Sequence, residues 1–154
     1  MARFTNPNPT TVNPKLPNSV VHDMEVLNRS IGISLNLMTR IVLRETLANP
    51  ARRDEIIAEI ARERSCRRYG DSTAVYTWMN HETARAFAEL MATTGARATM
   101  VARAIITVGC SGGLGRFRKR FLAESARLNE VEERQVEKIR VLAARHGFDL
   151  QERA

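Results

Sequence analysis

A chain of 154 residues can bury a hydrophobic core, either as one domain or as two small units packed together, and needs neither metal nor disulfide to do so. Lys and Arg number 24 against 17 Asp and Glu, giving a net charge of +7 and a pI near 10.4, so polyanions are the expected partners, nucleic acid first. No run approaches the roughly 20 apolar residues of a membrane span and no signal-peptide pattern opens the chain, so the expectation is a cytoplasmic protein without membrane insertion.

Residues 1–9 (MARFTNPNP) carry two Asn-Pro steps and no apolar periodicity, which predicts an extended N-terminal arm. Residues 10–48 form a first mixed section. Asn49-Pro50 then reads as a helix start, with Asn as N-cap and Pro at the first helical position, and Ile56, Ile57 and Ile60 follow at helical spacing. This linker helix, within 49–72, is expected to stop near Gly70. Residues 73–109 form a second mixed section. The run Ser111-Gly-Gly-Leu-Gly115 breaks the chain before a C-terminal extension, 110–154, whose charged helical pattern runs to about Arg145 with Gly147 as its cap.

The strongest signal is an internal repeat. Setting Gly32 against Gly95, an offset of 63, aligns Val12 with Val75, Leu16 with Met79, Leu27 with Leu90, Arg40 with Arg103 and Val42-Leu43 with Ile105-Ile106, without a gap. Each copy opens on alternation. Val12, Pro14 and Leu16 oppose Thr11, Asn13 and Lys15; Val75, Thr77 and Met79 oppose Ala74, Tyr76 and Trp78. Two helices follow in each copy. The first buries Val20, Val21, Met24 and Leu27, or Thr83, Ala84, Phe87, Leu90 and Met91, and ends at the matched glycine. The second buries Leu35, Met38, Ile41 and Val42, or Met100, Val101, Ala104, Ile105 and Val108. Ser34 is placed to cap the second helix of copy one; Arg97 stands there in copy two, leaving Thr99 or the backbone to supply the cap.

Strand, helix, glycine turn and helix in about 35 residues resembles the ribbon-helix-helix family of DNA-binding proteins, which includes the Arc, MetJ and CopG repressors. The resemblance covers 10–48 and 73–109. It implies a mainly α fold with one short two-stranded antiparallel ribbon: two fused units, joined by the linker helix and followed by the C-terminal helix. In this family a unit cannot stand alone, because its strand pairs with the strand of a second unit, and here that second unit belongs to the same chain. The organisation is similar to that of TraY-type accessory proteins of conjugative plasmids and of a Vir-region accessory protein of tumour-inducing plasmids. It implies duplex DNA as partner, a role in relaxosome assembly and DNA bending at a transfer origin, and a relaxase or coupling protein nearby, with oligomers on DNA allowed. Transcriptional repression or antitoxin action through the same ribbon, and a protein-interaction module, are the alternatives.

By the family's geometry the outward ribbon residues read bases: Thr11, Asn13 and Lys15 from copy one, Tyr76 and Trp78 from copy two. Asn can pair bidentately with adenine and Lys can reach guanine acceptors, whereas the aromatic pair offers few donors. The flipped register, with Tyr76 and Trp78 turned to the core, stays open, although the repeat favours the outward one. Ser34, Asn36, Arg97 and Thr99 stand at the starts of the second helices, where free N–H groups favour phosphate, or serve as simple caps. Arg116, Arg118, Lys119 and Arg120 open the last helix, the end at which cations are disfavoured, and so suit a DNA flank unless they form a solvated face. Leu114, Phe117, Phe121, Leu128, Val131, Ile139 and Leu142 make an irregular stripe that either closes over the core or joins two molecules; Gln135 and Lys138 interrupt any heptad. Cys66 and Cys110 lack the paired spacing of a metal or redox site and are expected as reduced thiols. His22, His81 and His146 fall in separate sections, and no phosphate loop, nucleophile elbow or metal-ligand cluster is seen. A non-enzymatic binding protein without a cofactor is expected.

Overall fold

The computed structural model describes residues 9–65 and 72–147. Gly70, Cys66 and residues 1–8 of the expected arm lie outside them. The chain is mainly helical with one small antiparallel ribbon. In order the elements are β1 (Thr11–Val12), β2 (Lys15–Pro17), α1 (Asn18–Ile31), α2 (Leu35–Ala48), α3 (Arg53–Ser65), β3 (Ser72–Ala74), β4 (Thr77–Trp78), α4 (His81–Thr94), α5 (Ala98–Cys110) and α6 (Arg118–Arg145).

The ribbon joins the two ends of the repeat within one chain. β1 pairs with β4 through Thr11 opposite Trp78 and Val12 opposite Thr77; β2 pairs with β3 through Lys15 opposite Ala74, Leu16 opposite Thr73 and Pro17 opposite Ser72. The register never changes, so Asn13 stands opposite Tyr76, its own counterpart in the repeat, and the local two-fold axis passes between these two residues. Each strand is split into two short pieces because Pro14 has no N–H. It accepts from the Val75 N–H at 3.0 Å and returns nothing, which interrupts the ladder at the axis. Val12, Pro14 and Leu16 are buried beneath the ribbon, as are Val75, Thr77 and Met79, so the period-two alternation seats one face on the helices.

The helices end and begin where local chemistry directs. Gly32 and Gly95 have φ of 72° and 66°, and their N–H groups donate to the carbonyls of Asn28 and Met91. Only glycine adopts this left-handed C-cap without strain. Ser34 accepts from the Leu37 N–H and Asn80 from the Thr83 N–H. Asn49 accepts from the Ala51 N–H, but Pro50–Arg52 form a tight 3₁₀ turn and the linker helix proper begins at Arg53. α2 and α5 cross at the centre of the core, burying Met38, Ile41 and Val42 against Val101, Ile105 and Ile106. Gly109 permits the approach: a Cβ there would strike Thr46 Oγ1 and lie 2.8 Å from Val42 Cγ1.

The repeat extends beyond the strand and two helices seen in the sequence. α3 packs on α5, burying Ile56 and Ile60, while the start of α6 packs on α1 and α2, burying Phe117 and Phe121. Each flanking helix thus covers the unit to which it is not directly attached by its own first helix. Ile56 and Ile60 match Phe117 and Phe121 at an offset of 61, two short of the earlier value, because the spacing from Ile105 to Phe117 is two residues shorter than that from Val42 to Ile56. The same offset relates Arg64 to Ser125. Arg64 Nη2 donates to the Thr94 carbonyl at 2.6 Å and Ser125 Oγ to the Ile31 carbonyl at 3.1 Å. Ile31 and Thr94 are the last residues of α1 and α4, themselves 63 apart, so the two contacts are equivalent. α6 then outruns its counterpart. The apolar stripe therefore divides: Leu114, Phe117 and Phe121 close over the core, whereas Leu128, Val131, Ile139 and Leu142 are exposed.

Because strand pairing is intrachain, helical circular dichroism of the monomer is expected to persist on dilution to nanomolar concentration. Loss of signal with dissociation in sedimentation runs would place the pairing between chains. Gly109→Ala is expected to cost about 1–3 kcal/mol in denaturant titration through overpacking at the α2–α5 crossing, against no measurable loss for Gly115→Ala, where a Cβ meets nothing within 4 Å.

Candidate nucleic-acid interface

Thr11, Asn13, Lys15, Ala74, Tyr76 and Trp78 are all exposed on the outer face of the ribbon. This settles the open register: Tyr76 is 53% exposed and Trp78 45%, with Val75 and Thr77 beneath. Hydrogen bonds join the inward pairs, as from Val75 N–H to Pro14 and Met79 N–H to Thr10, which leaves the outward residues in the non-bonded pairs, where side chains approach most closely. The outer face carries Thr11 beside Trp78, Asn13 beside Tyr76 and Lys15 beside Ala74. Polar donors and aromatic surface therefore interleave across the ribbon.

The N-terminus of α5 flanks the copy-one end of this face. Between them lies a cleft of about 450 Å³ lined by Asn13, Lys15, Arg64, Arg97, Thr99 and Arg103, with Glu63 at its wall. The Arg97 side chain makes no capping bond to the first amides of α5; at the other helix Ser34 does cap. Asn36 and Thr99 are exposed in the first turn of each helix. Glu63 is only 4% exposed: Oε1 meets Arg103 Nε at 3.3 Å, and Oε2 has no hydrogen-bond partner among the described residues. Burial pushes its carboxyl above the usual glutamate range, and the Arg103 guanidinium only partly opposes this.

The other end is arranged differently. Arg40 of α2, the counterpart of Arg103, lies with its guanidinium carbon 4.1 Å from the centre of the Trp78 ring. Burial lowers the Arg40 pKa, nearby Arg44 and Arg127 lower it further, and Glu124 of α6 opposes them. Glu124 corresponds to Glu63 at the flanking-helix offset, but its ion pair is with Arg127 on its own helix, and that hydrogen bond holds its carboxyl below the usual range. Arg40, Glu63, Arg103 and Glu124 were not singled out as site residues in the sequence; the alignment of Arg40 with Arg103 was their one visible signal.

The basic cluster is spread over several surroundings. Arg120 pairs with Glu45 at 3.0 Å, ten residues past the start of α2 and so about 15 Å along the helix from the end that flanks the ribbon. A Cβ on Gly112 would collide with the Arg116 guanidinium, which places Arg116 at the far end of α5, while Arg118 and Lys119 are exposed on the first turn of α6. Arg116 and Arg120 are thus held away from the helix starts bearing Ser34, Asn36, Arg97 and Thr99. Cys110 is largely buried, which pushes its thiol up to about 12. His22, His81 and His146 are exposed and separate. Among the described residues no single helix is long and apolar enough to cross a membrane. No protein-family model, curated protein or solved structure matches the chain.

Glu63 makes stability depend on pH. Its raised carboxyl gives stability that is fully present below the unfolded value of about 4.3 and is lost as pH rises through the higher folded value. Denaturant midpoints of the native chain, referred to those of Glu63→Gln, are expected to fall across that window and to level off above it. A difference constant with pH would mean that Glu63 titrates normally.

Proposed function

We propose that the chain is a tandem ribbon-helix-helix protein that binds duplex DNA sequence-specifically, with its ribbon in the major groove. The observation that carries the reading is the ribbon itself: a two-stranded antiparallel element of major-groove dimensions, seated on helices by one face and presenting Thr11, Asn13, Lys15, Tyr76 and Trp78 on the other. A surplus of seven positive charges supports it. The uncapped start of α5 beside Lys15, Arg64 and Arg97 suits a backbone phosphate at one groove edge.

In this reading Asn13 sits on the local axis and reads the centre of the site, Lys15 reads one arm, and the aromatic half lies along the other. The units are fused and their outward residues differ, so the preferred site is not a palindrome. A protein of this form serves as an accessory factor at a plasmid transfer origin, holding or bending DNA so that a relaxase or coupling protein can assemble there.

Fluorescence anisotropy on transfer-origin fragments and scrambled duplexes tests the proposal. The native chain should prefer one fragment, with log affinity falling linearly in log salt. Asn13→Ala and Lys15→Ala should each reduce that preference by about 1–3 kcal/mol while leaving non-specific affinity less changed. Equal affinity for all sequences, or equal losses on cognate and scrambled DNA, would remove the base-reading role.

A further inference from the structure

The aromatic half of the ribbon poses a chemical problem for any reader of base edges. Ala74 has no polar group, Tyr76 has one hydroxyl, and Trp78 offers only the indole N–H. The groove edge of guanine presents two acceptors, O6 and N7, and none of these strand residues answers them with a pair of donors. Arg40 does. It comes from α2, from outside the strand pattern, and its guanidinium carbon lies 4.1 Å from the centre of the Trp78 ring, an outward residue of the ribbon that is 45% exposed.

A guanidinium held over an indole is attracted by the ring face, and because its five N–H groups lie in its own plane, lying flat on the ring leaves them directed sideways, so such a contact can orient the fork without using a donor. The side chain is ordered before any ligand arrives, which removes much of the entropy cost of forming a two-pronged hydrogen bond. Glu124 acts on Arg40 through its charge, while its hydrogen bond goes to Arg127. The counterpart Arg103 differs on each of these points. It is paired with Glu63 at 3.3 Å and stands beside Lys15, which occupies the ribbon position of Trp78 and carries donors of its own.

We propose that Arg40, oriented by Trp78, is a specificity-determining residue that reads a guanine in the arm of the site covered by the aromatic half-ribbon, through paired bonds to O6 and N7. Trp78 acts as the positioning residue for that guanidinium. The two ends of the ribbon reach the same chemical end by different routes, a strand lysine at one and a helix arginine on a tryptophan shelf at the other. This inference rests on the duplex-binding reading above.

The test is a base-substitution series across the preferred duplex, read by anisotropy with the native chain, Arg40→Lys, Arg40→Ala, Trp78→Ala and Trp78→Phe. Arg40→Lys keeps the charge but loses the planar fork. It is expected to abolish a preference of about 10- to 100-fold for G·C at one position in one arm, while the salt slope and the preferences around Asn13 and Lys15 stay as they were. Trp78→Ala should reproduce that loss and Trp78→Phe retain most of the preference, since a phenyl ring still supplies a shelf. Retained helical circular dichroism in all four variants shows that the losses are not unfolding. If Arg40→Ala weakens every duplex equally and flattens the salt slope, Arg40 holds phosphate and the guanine assignment falls. If Arg40→Lys changes nothing, it also falls, with duplex binding intact. A native chain that binds no duplex sequence-specifically overturns the underlying reading and this inference together.

Discussion

A lone two-stranded ribbon is marginal in water, and this one is further weakened by a proline at its centre. What holds it is the apolar face beneath: Val12, Pro14 and Leu16 from one strand and Val75, Thr77 and Met79 from the other are buried on the crossed pair α2 and α5. The dependence runs both ways. The helices have no closed core until the strands pair, because Leu16 and Met79 fill the space between them, and the strands do not pair without helices to cover that face. Both strands come from one polypeptide, so formation of this contact does not depend on protein concentration, and the joined halves are free to diverge in sequence.

Divergence is visible wherever the local two-fold relates unlike residues. The axis runs between Asn13 and Tyr76; it carries Lys15 onto Trp78 and Arg103 onto Arg40. These replacements are coupled. Where the ribbon holds a lysine, the helix arginine is held by a buried glutamate; where it holds a tryptophan, the arginine lies on the indole. A symmetric dimer could not make this exchange, since any substitution would appear at both ends. Carrying both strands on one chain, with the residues no longer matched, is what allows one face to carry two different chemistries.

The gapless offset of 63 made much of this legible in the sequence. It fixed which strand residues face outward, because a slip of one residue in either copy would have broken the match of Val12 with Val75 and of Leu16 with Met79. Gly32 and Gly95 marked the helix ends, since a left-handed cap leaves a chemical signature in the residue type. The flanking helices were not legible as repeats. Their equivalence rests on isoleucines matched with phenylalanines, an arginine matched with a serine that makes the same hydrogen bond, and a spacing from the core that is two residues shorter in the second copy. Packing depends on volume and contact geometry more than on identity, so alignment by residue type fails where matched contacts still reveal the equivalence. The basic run at 116–120 shows a related limit of residue type: charge density along the chain does not state direction, and Arg120 turns to Glu45 while Arg118 and Lys119 stay exposed.

The extended symmetry also bears on what the C-terminal helix is for. Up to Ser125 α6 does what α3 does, capping the opposite unit and bonding the last carbonyl of its first helix, so this portion belongs to the fold. Beyond it the helix leaves the core, its residues are almost all exposed, and four members of its apolar stripe face outward. Its Glu124–Arg127 and Glu130–Arg134 pairs are spaced three and four residues apart and act along the helix itself. The fold needs only the first turns of α6, whereas the chain continues as helix for about five more. A change that shortens this overhang therefore acts on a part of the molecule that the ribbon and its supporting helices do not require.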